Sequence, residues 1–144
     1  MKRALILIQA IGKTDRQIEM SRKFLLKYTA TRQLEPIEID QDKLDGEFAD
    51  LNEQIHHSYP LYSVSYALRL MSSCDTVIFG KGWERRREFI LAHAVAVAYG
   101  LEVIYEEKIE NERRNQQHEN KKTKCDQEGF RHRERPACRQ SIHP

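Results

Sequence analysis

Two short stretches of the chain are apolar with almost no polar break, residues 4–8 (ALILI) and 76–79 (TVIF). Such runs suit strands covered on both faces of a parallel sheet. Residues 34–39 alternate apolar with acidic positions, as in a strand nearer a sheet edge, and residues 102–105 supply a last strand. Between these runs the period lengthens to that of a helix. Ile18, Phe24, Leu25 and Tyr28 fall near one stripe behind a capping Thr14 or Asp15, and Leu61, Val64, Leu68 and Met71 mark a second helix face. A third helix is expected over residues 84–99, with Gly100 as its stop. From Phe89 to Ala98 it is apolar nearly all round except for His93. A helix without a polar face is buried on more than one side, so one side should meet the sheet and the other a second subunit, most simply in a homodimer.

The pattern reads β-α-β-loop-α-β-α-β. It predicts a small three-layer α/β/α, Rossmann-like (flavodoxin-like) domain of about four parallel strands in the order 2-1-3-4, with right-handed crossovers. Residues 41–60 are mostly polar and include Gly46, His56 and His57. They read as a long loop with one short helix near residues 48–55.

Composition divides the chain. Of 24 Lys/Arg and 22 Asp/Glu, ten and eight lie from Glu106 onward, which leaves fourteen of each before it. The net charge of +2 therefore belongs to the end of the chain, and a neutral core argues against a dedicated nucleic-acid binder. The mean hydropathy of -0.73 has the same local origin. Residues 1–107 are expected to form the domain and residues 108–144 a polar, disordered tail, with a turn or two of helix continuing to Arg114. No apolar run approaches a membrane span, and the apolar start is too short for a signal peptide, so a cytoplasmic protein is expected. Cys74 reads as a reduced packing residue. Cys125, His132, Cys138 and His143 are possible zinc donors, but their spacing matches no paired zinc pattern, so neither a metal nor a cofactor is expected.

Candidate chemistry gathers at the carboxyl ends of the strands, where open α/β sheets bind ligands. The turn after residues 76–79 holds Gly80, Gly82, Trp83 and the run Glu84, Arg85, Arg86, Arg87, Glu88. Cations at a helix start oppose the macrodipole, so Arg85, Arg86 and Arg87 point to a phosphate or other anion, or else to a solvated turn paired with Glu84 and Glu88. Trp83 can stack a nucleobase or pack internally. The turn after the first strand offers Gln9 and Gly12 beside Lys13, and Asp40 and Gln41 end the second strand within reach of a sugar hydroxyl. Asp75 is expected to hydrogen-bond locally, and His93 reads as a satisfied core or interface histidine.

The stretch DTVIFGKGWERRREFILAHAVAVAYGLEVIY resembles the nucleoside 2-deoxyribosyltransferase-like superfamily, including its small phage and bacterial members. Asp75, Gly82, Trp83, Glu84, Ala96, Gly100, Leu101, Val103 and Tyr105 fit the family pattern. The resemblance covers residues 1–106 and is specific in the central third. It implies the parallel fold and a nucleoside or nucleotide ligand. The family's Ser falls on Arg86, its Gly-Ala pair on Glu88 and Phe89, and its nucleophilic Glu on Ala92, while Ala67 stands where an acidic partner is often found. The family's Tyr-x-Ser/Ala-Gly-Pro start is replaced by Leu-Ile-Gln-Ala-Ile-Gly. An alanine cannot form a glycosyl ester, so the resemblance implies a nucleotide-binding domain with weak or no catalysis. Two alternatives stand beside it. One is an active N-glycosidic transferase or hydrolase using Glu88, which lies one helical turn before Ala92. The other is a protein-interaction module acting through the central helix.

Overall fold

The computed structural model describes residues 1–52 and 58–116. The chain divides into two units, Met1–Glu107 and Lys108–Pro144. In the first, the elements run β1 (Arg3–Leu7), α1 (Asp15–Thr31), β2 (Glu35–Glu38), α2 (Gln41–Asn52), α3 (Tyr59–Met71), β3 (Thr76–Phe79), a 3-10 turn (Trp83–Arg85), α4 (Arg87–Ala98) and β4 (Glu102–Tyr105). Residues 106–116 are helical. Of the second unit, residues 108–116 are described and are helical, in line with the turn or two of helix expected as far as Arg114. The Cys and His residues of the end of the chain, like His56 and His57, lie outside the described residues.

All four strands are parallel in the order β2-β1-β3-β4. The two uninterrupted apolar runs are the central pair: Leu5 lies beside Val77 and Leu7 beside Phe79, and all four are fully buried. Burial of one such side chain is worth about 1.5–3 kcal/mol, so this pair anchors the domain. The alternating run is the edge strand β2, half-buried as its pattern requires. From β1 the chain crosses one way to β2 and later the other way to β3. With a fixed right-handed crossover, α1 lies on one face of the sheet and α3 and α4 on the other. On the second face Leu5, Leu7, Val77 and Phe79 meet Met71, Cys74, Phe89, Ala92 and Ala96 in one cluster. The buried Cys74 thiol is free, and burial pushes its pKa up.

The helix ends follow their sequence signals. Thr14 and Gln17 form a capping box at the start of α1, with Thr14 Oγ1 accepting from Gln17 N and Gln17 Oε1 from Thr14 N. Gly100 takes φ +73° after α4, and the Leu101 N–H to Ala96 and Gly100 N–H to Val97 bonds close a Schellman motif.

Three expectations are corrected. Most of residues 41–60 is helical: Asp40 Oδ1 accepts from Lys43 N at 3.2 Å to cap α2, and only Leu44 and Phe48 carry its inner stripe. Two apolar positions among so many acids look like loop composition, although one turn apart they suffice to seat a helix. The second helix face is also rotated. Ser63, Tyr66, Ala67 and Met71 are buried in α3, whereas Leu61 is exposed, because small Ser63 and Ala67 allow close packing that a larger side chain would block. Finally, the central helix begins only at Arg87. Residues 83–85 form a separate 3-10 turn, and Arg86 is extended between the two elements.

Candidate functional site

The strand order reverses between β1 and β3, so the crevice at their carboxyl ends is the topological switch point. Two turns meet there. The peptide of Lys81, between Gly80 and Gly82, is held at both ends by side chains from elsewhere in the fold. Its N–H donates to Glu106 Oε1 at 3.0 Å. Its carbonyl accepts from Lys13 Nζ at 2.6 Å and from Gln9 Nε2 at 3.3 Å. The amide oxygen of Gln9 in turn accepts from Ile11 N at 2.7 Å, fixing the first turn. Gln9 and Glu106 are 1 % and 2 % exposed. Buried polar groups of this kind are tolerated because they are hydrogen-bonded.

The glycines have local steric causes. Gly82 takes φ +75°, and a Cβ there would stand 2.6 Å from Gln9 Nε2. At Gly80 a Cβ would meet the Leu7 carbonyl at 3.2 Å. Gly12, at φ +73°, lies under the Arg85 guanidinium, whose Nη1 would be 3.3 Å from an added Cβ. Gln9, Gly12, Gly80 and Gly82 thus build the floor of the crevice through contacts within the protein.

The charges above that floor are mainly positive. Burial lowers the Lys13 pKa, Glu106 pulls it back up, and Lys81 and Arg85 push it down further. Lys13, Lys81 and Arg85 therefore share one electrostatic neighbourhood, in which Glu106 acts on Lys13 as a counter-charge.

Beside this crevice lies a second polar group. Arg86 Nε contacts Glu88 Oε2 at 3.2 Å, and its guanidinium lies 4.9 Å from the centre of the Phe89 ring. Tyr59 donates to Asp45 Oδ1 at 2.7 Å and accepts from Gln41 Nε2 at 2.6 Å. The hydrogen bond to Asp45 is the main cause of a raised Tyr59 pKa, which nearby Arg86 partly offsets. Arg87 is exposed at the first turn of α4. Asp40 and Gln41 border a shallow, open pocket of about 370 Å³ at the end of β2, with the Arg22 and Glu38 ion pair on its wall.

Trp83 packs internally. Its ring stacks on His93 at 4.3 Å and 26°, and lies 5.1 Å from Phe79 and 6.0 Å from Tyr105. His93 Nε2 and the Tyr105 hydroxyl are 2.6 Å apart, so His93 is a satisfied histidine. Asp75 accepts from Arg3 N at 3.2 Å at the opposite end of the strands. Ala92 and Ala67 are both buried, and Ala92 belongs to the apolar cluster. A carboxylate at either position would be buried without a partner.

Sequence reasoning passed over Lys81 as a ligand residue, and over Glu106, Asp45 and Tyr59 altogether, whereas Arg85 stood among the three arginines expected to meet an anion. One signal was available: a lysine follows a glycine in each of the two turns, Gly12-Lys13 and Gly80-Lys81. No group of three or more His, Cys, Asp or Glu side chains among the described residues is arranged to hold a metal ion. No helix among them is long and apolar enough to cross a membrane. Compared with family models, with curated proteins and with solved structures, the chain matches none.

Proposed function

We propose that this chain binds a nucleotide or nucleotide derivative at the switch point, with its anionic group over Lys13, Lys81 and Arg85, and performs little or no glycosidic chemistry. The observation that carries the reading is the convergence of these three cations on a prearranged backbone turn at the carboxyl ends of β1 and β3. Such a turn needs no reorganisation to receive an anion, and each charge-assisted hydrogen bond is worth roughly 1.5–3 kcal/mol. Arg86 and Arg87 form the outer rim. Glu88, held by Arg86, is the carboxylate offered for the alternative N-glycosidic reaction.

The test is a thermal-shift screen of nucleosides against nucleotides, followed by isothermal titration of any ligand found. A ligand at about 100 times its Kd adds about 2.7 kcal/mol to stability. Nucleotides should stabilise the protein and nucleosides should not. Arg85→Ala should weaken binding more than Arg87→Ala, and Glu88→Ala should leave it intact. Release or exchange of base from a deoxynucleotide that disappears in Glu88→Ala would overturn the binding-only reading and establish the glycosidic one.

A separate observation favours self-association. Ile90, Leu91, Val97 and Tyr99 are exposed along the outer face of α4 and beyond its end. The proposed partner is a second copy, because an isologous contact across the small Ala94 would let Leu91 of one copy meet Val97 of the other.

A further inference from the structure

Among the described residues the sheet has two edges, β2 and β4, and they are finished differently. In β2 the Glu35 N–H donates to the Lys2 carbonyl at 2.8 Å, so by the alternation of a parallel strand Glu35 and Ile37 turn their backbone groups toward β1, and Pro36 and Glu38 turn theirs outward. Proline has no N–H to offer there, and the ion pairs of Glu35 with Arg3 and of Glu38 with Arg22 add charge along the strand. Such an edge resists further pairing. In β4 the Glu102 N–H donates to the Asp75 carbonyl at 3.2 Å, so Glu102 and Ile104 face β3 while Val103 and Tyr105 turn their backbone groups outward. This strand carries no proline, and its one charge, Glu102, is paired with Arg32 at 3.1 Å. Among the described residues β4 pairs with β3 alone.

The helix above this open edge is apolar on the matching flank. The His93 ring lies 5.2 Å from Phe79 of β3 and 5.7 Å from Tyr105 of β4, so α4 sits astride the last two strands. Ile90 and Val97 stand one turn to either side of His93 on the same stripe, and they are 44 % and 58 % exposed. The small Ala94 between them is exposed as well.

From these two observations we infer that a second copy of this chain pairs with the β4 edge: two β4 strands run antiparallel about a two-fold axis at Ile104, joining two four-stranded sheets into one, with the two α4 helices side by side above the seam. The inference rests on the self-association proposed above and gives it a place and a register. About that axis Val103 of one copy stands opposite Tyr105 of the other. The Tyr105 N–H donates to the Val103 carbonyl and the Val103 N–H to the Tyr105 carbonyl, and symmetry repeats the pair. The helices fit the same axis. His93 Nε2 lies 2.6 Å from the Tyr105 hydroxyl, which sets the middle of α4 level with the end of β4, so an axis through Ile104 passes near Ala94. With strands about 4.8 Å apart, two helices each astride β3 and β4 lie about 10 Å apart, a normal distance for a packed helix pair. Val97 of each copy then meets Ile90 of the other, beside the Leu91 contact across Ala94. The pair consumes both open edges, and the β2 edges stop further growth.

The register is tested on the full 144-residue chain by cross-linking and amide exchange. Ile104→Cys puts a thiol on the axis, where facing Cα atoms of an antiparallel pair are about 4.5 Å apart and within disulfide reach. Mild oxidation should give a covalent dimer far above the background from the three native cysteines, measured on the wild type, whereas Ile37→Cys on β2 should stay at background. In residue-resolved hydrogen exchange, raising the protein concentration through the range of dimer formation should slow the Val103 and Tyr105 amides about tenfold, and Glu102 and Ile104, already bonded to β3, much less. Val103→Pro removes an outward N–H at a position an edge strand tolerates, and should give a folded monomer by circular dichroism and sedimentation. If that variant does not fold, the cross-link and the exchange pattern decide. A dimer that cross-links through Ala94→Cys but not through Ile104→Cys, with no protection gained at Val103 and Tyr105, overturns the edge pairing and leaves the α4 contact standing. Protection of those two amides in a monomeric protein means that the edge is covered within one chain, which overturns it too. A monomer without that protection removes the self-association as well.

Discussion

Two regions of this domain invert the rule that polar groups face water and apolar groups face the core, and they do so with opposite outcomes. At the switch point Gln9 and Glu106 are almost wholly buried, yet their inversion is balanced within the chain, because both are hydrogen-bonded to the Lys81 peptide. On the outer face of α4 the inversion runs the other way. Val97 and Tyr99 are 58 % and 82 % exposed, and nothing among the described residues covers them. A buried polar group must find its partner inside, since an unsatisfied one costs about 1–3 kcal/mol. An exposed apolar group can wait for a partner from outside. The first region therefore reports on how the fold is prearranged, and the second on what the fold meets.

The sharpest way to break the switch point is at Gly82. Gly82→Ala forces an L-residue into a left-handed conformation, at about 1–2 kcal/mol, and drives its methyl group into Gln9 Nε2. With the loss of the Gln9 bond to Lys81, the total should reach about 2–3 kcal/mol in urea unfolding. Gly12→Ala makes the useful comparison, because its Cβ meets only the flexible end of Arg85 and should cost about 1 kcal/mol. The double variant Gly82→Ala with Gln9→Ala should be less destabilised than the sum of the two, by about 1 kcal/mol, since the clash and the bond are one interaction. Strict additivity would mean that Gln9 does not hold this turn.

How far these regions were legible beforehand depends on where their causes lie. The strands were legible because burial on two faces leaves almost no polar residue in the run, Thr76 alone excepted in β3, and residues 76–79 match that strand to the residue. The exposed face of α4 was legible for the same reason, as a helix with no polar stripe. The switch point was legible only in part. Gln9 and the glycines stand out as turn residues, but what they hold is a peptide 72 positions away from Gln9, and no local period encodes that pairing. Glu106 was hidden because it follows β4 directly into a run of charges, where a single buried acid looks like its exposed neighbours. Helix α2 was legible only as a short helix near residues 48–55, because its inner stripe is two residues wide.

At α4 the comparison is tested through the oligomer. Val97→Glu places a charge on an exposed surface and should alter the stability of a dissociated subunit by no more than about 0.5 kcal/mol. In sedimentation at micromolar concentration the wild type should run as a dimer and Val97→Glu as a folded monomer. A wild type that is monomeric throughout would leave these side chains as isolated surface hydrophobics and remove the contrast between the two regions.

The smallest expected effect is the most specific to the switch point. Its buried partners stabilise the turn, but Lys13 brings a charge into a partly dehydrated place beside two other cations, so folding lowers its pKa below the usual 10.5. Within the window between that lowered value and 10.5, the unfolded chain binds more protons than the folded one, and stability rises with pH. Below the window the full penalty applies; at its upper end the penalty has been relieved. Lys13→Gln removes the titration, so the stability difference between wild type and variant should move in favour of the wild type as the pH approaches 10.5. The change should stay below about 1 kcal/mol, because Lys13 keeps part of its hydration. Tyr59 pulls the opposite way, since its raised pKa makes stability fall with pH above 10, and the buried Cys74 thiol acts in the same sense above 9. Both are common to the two proteins and cancel in the difference. Urea unfolding of wild type and Lys13→Gln at several pH values from 7 to 10.5 therefore isolates Lys13. A difference that stays flat across that range would show that its amine is no more strained than an ordinary surface lysine.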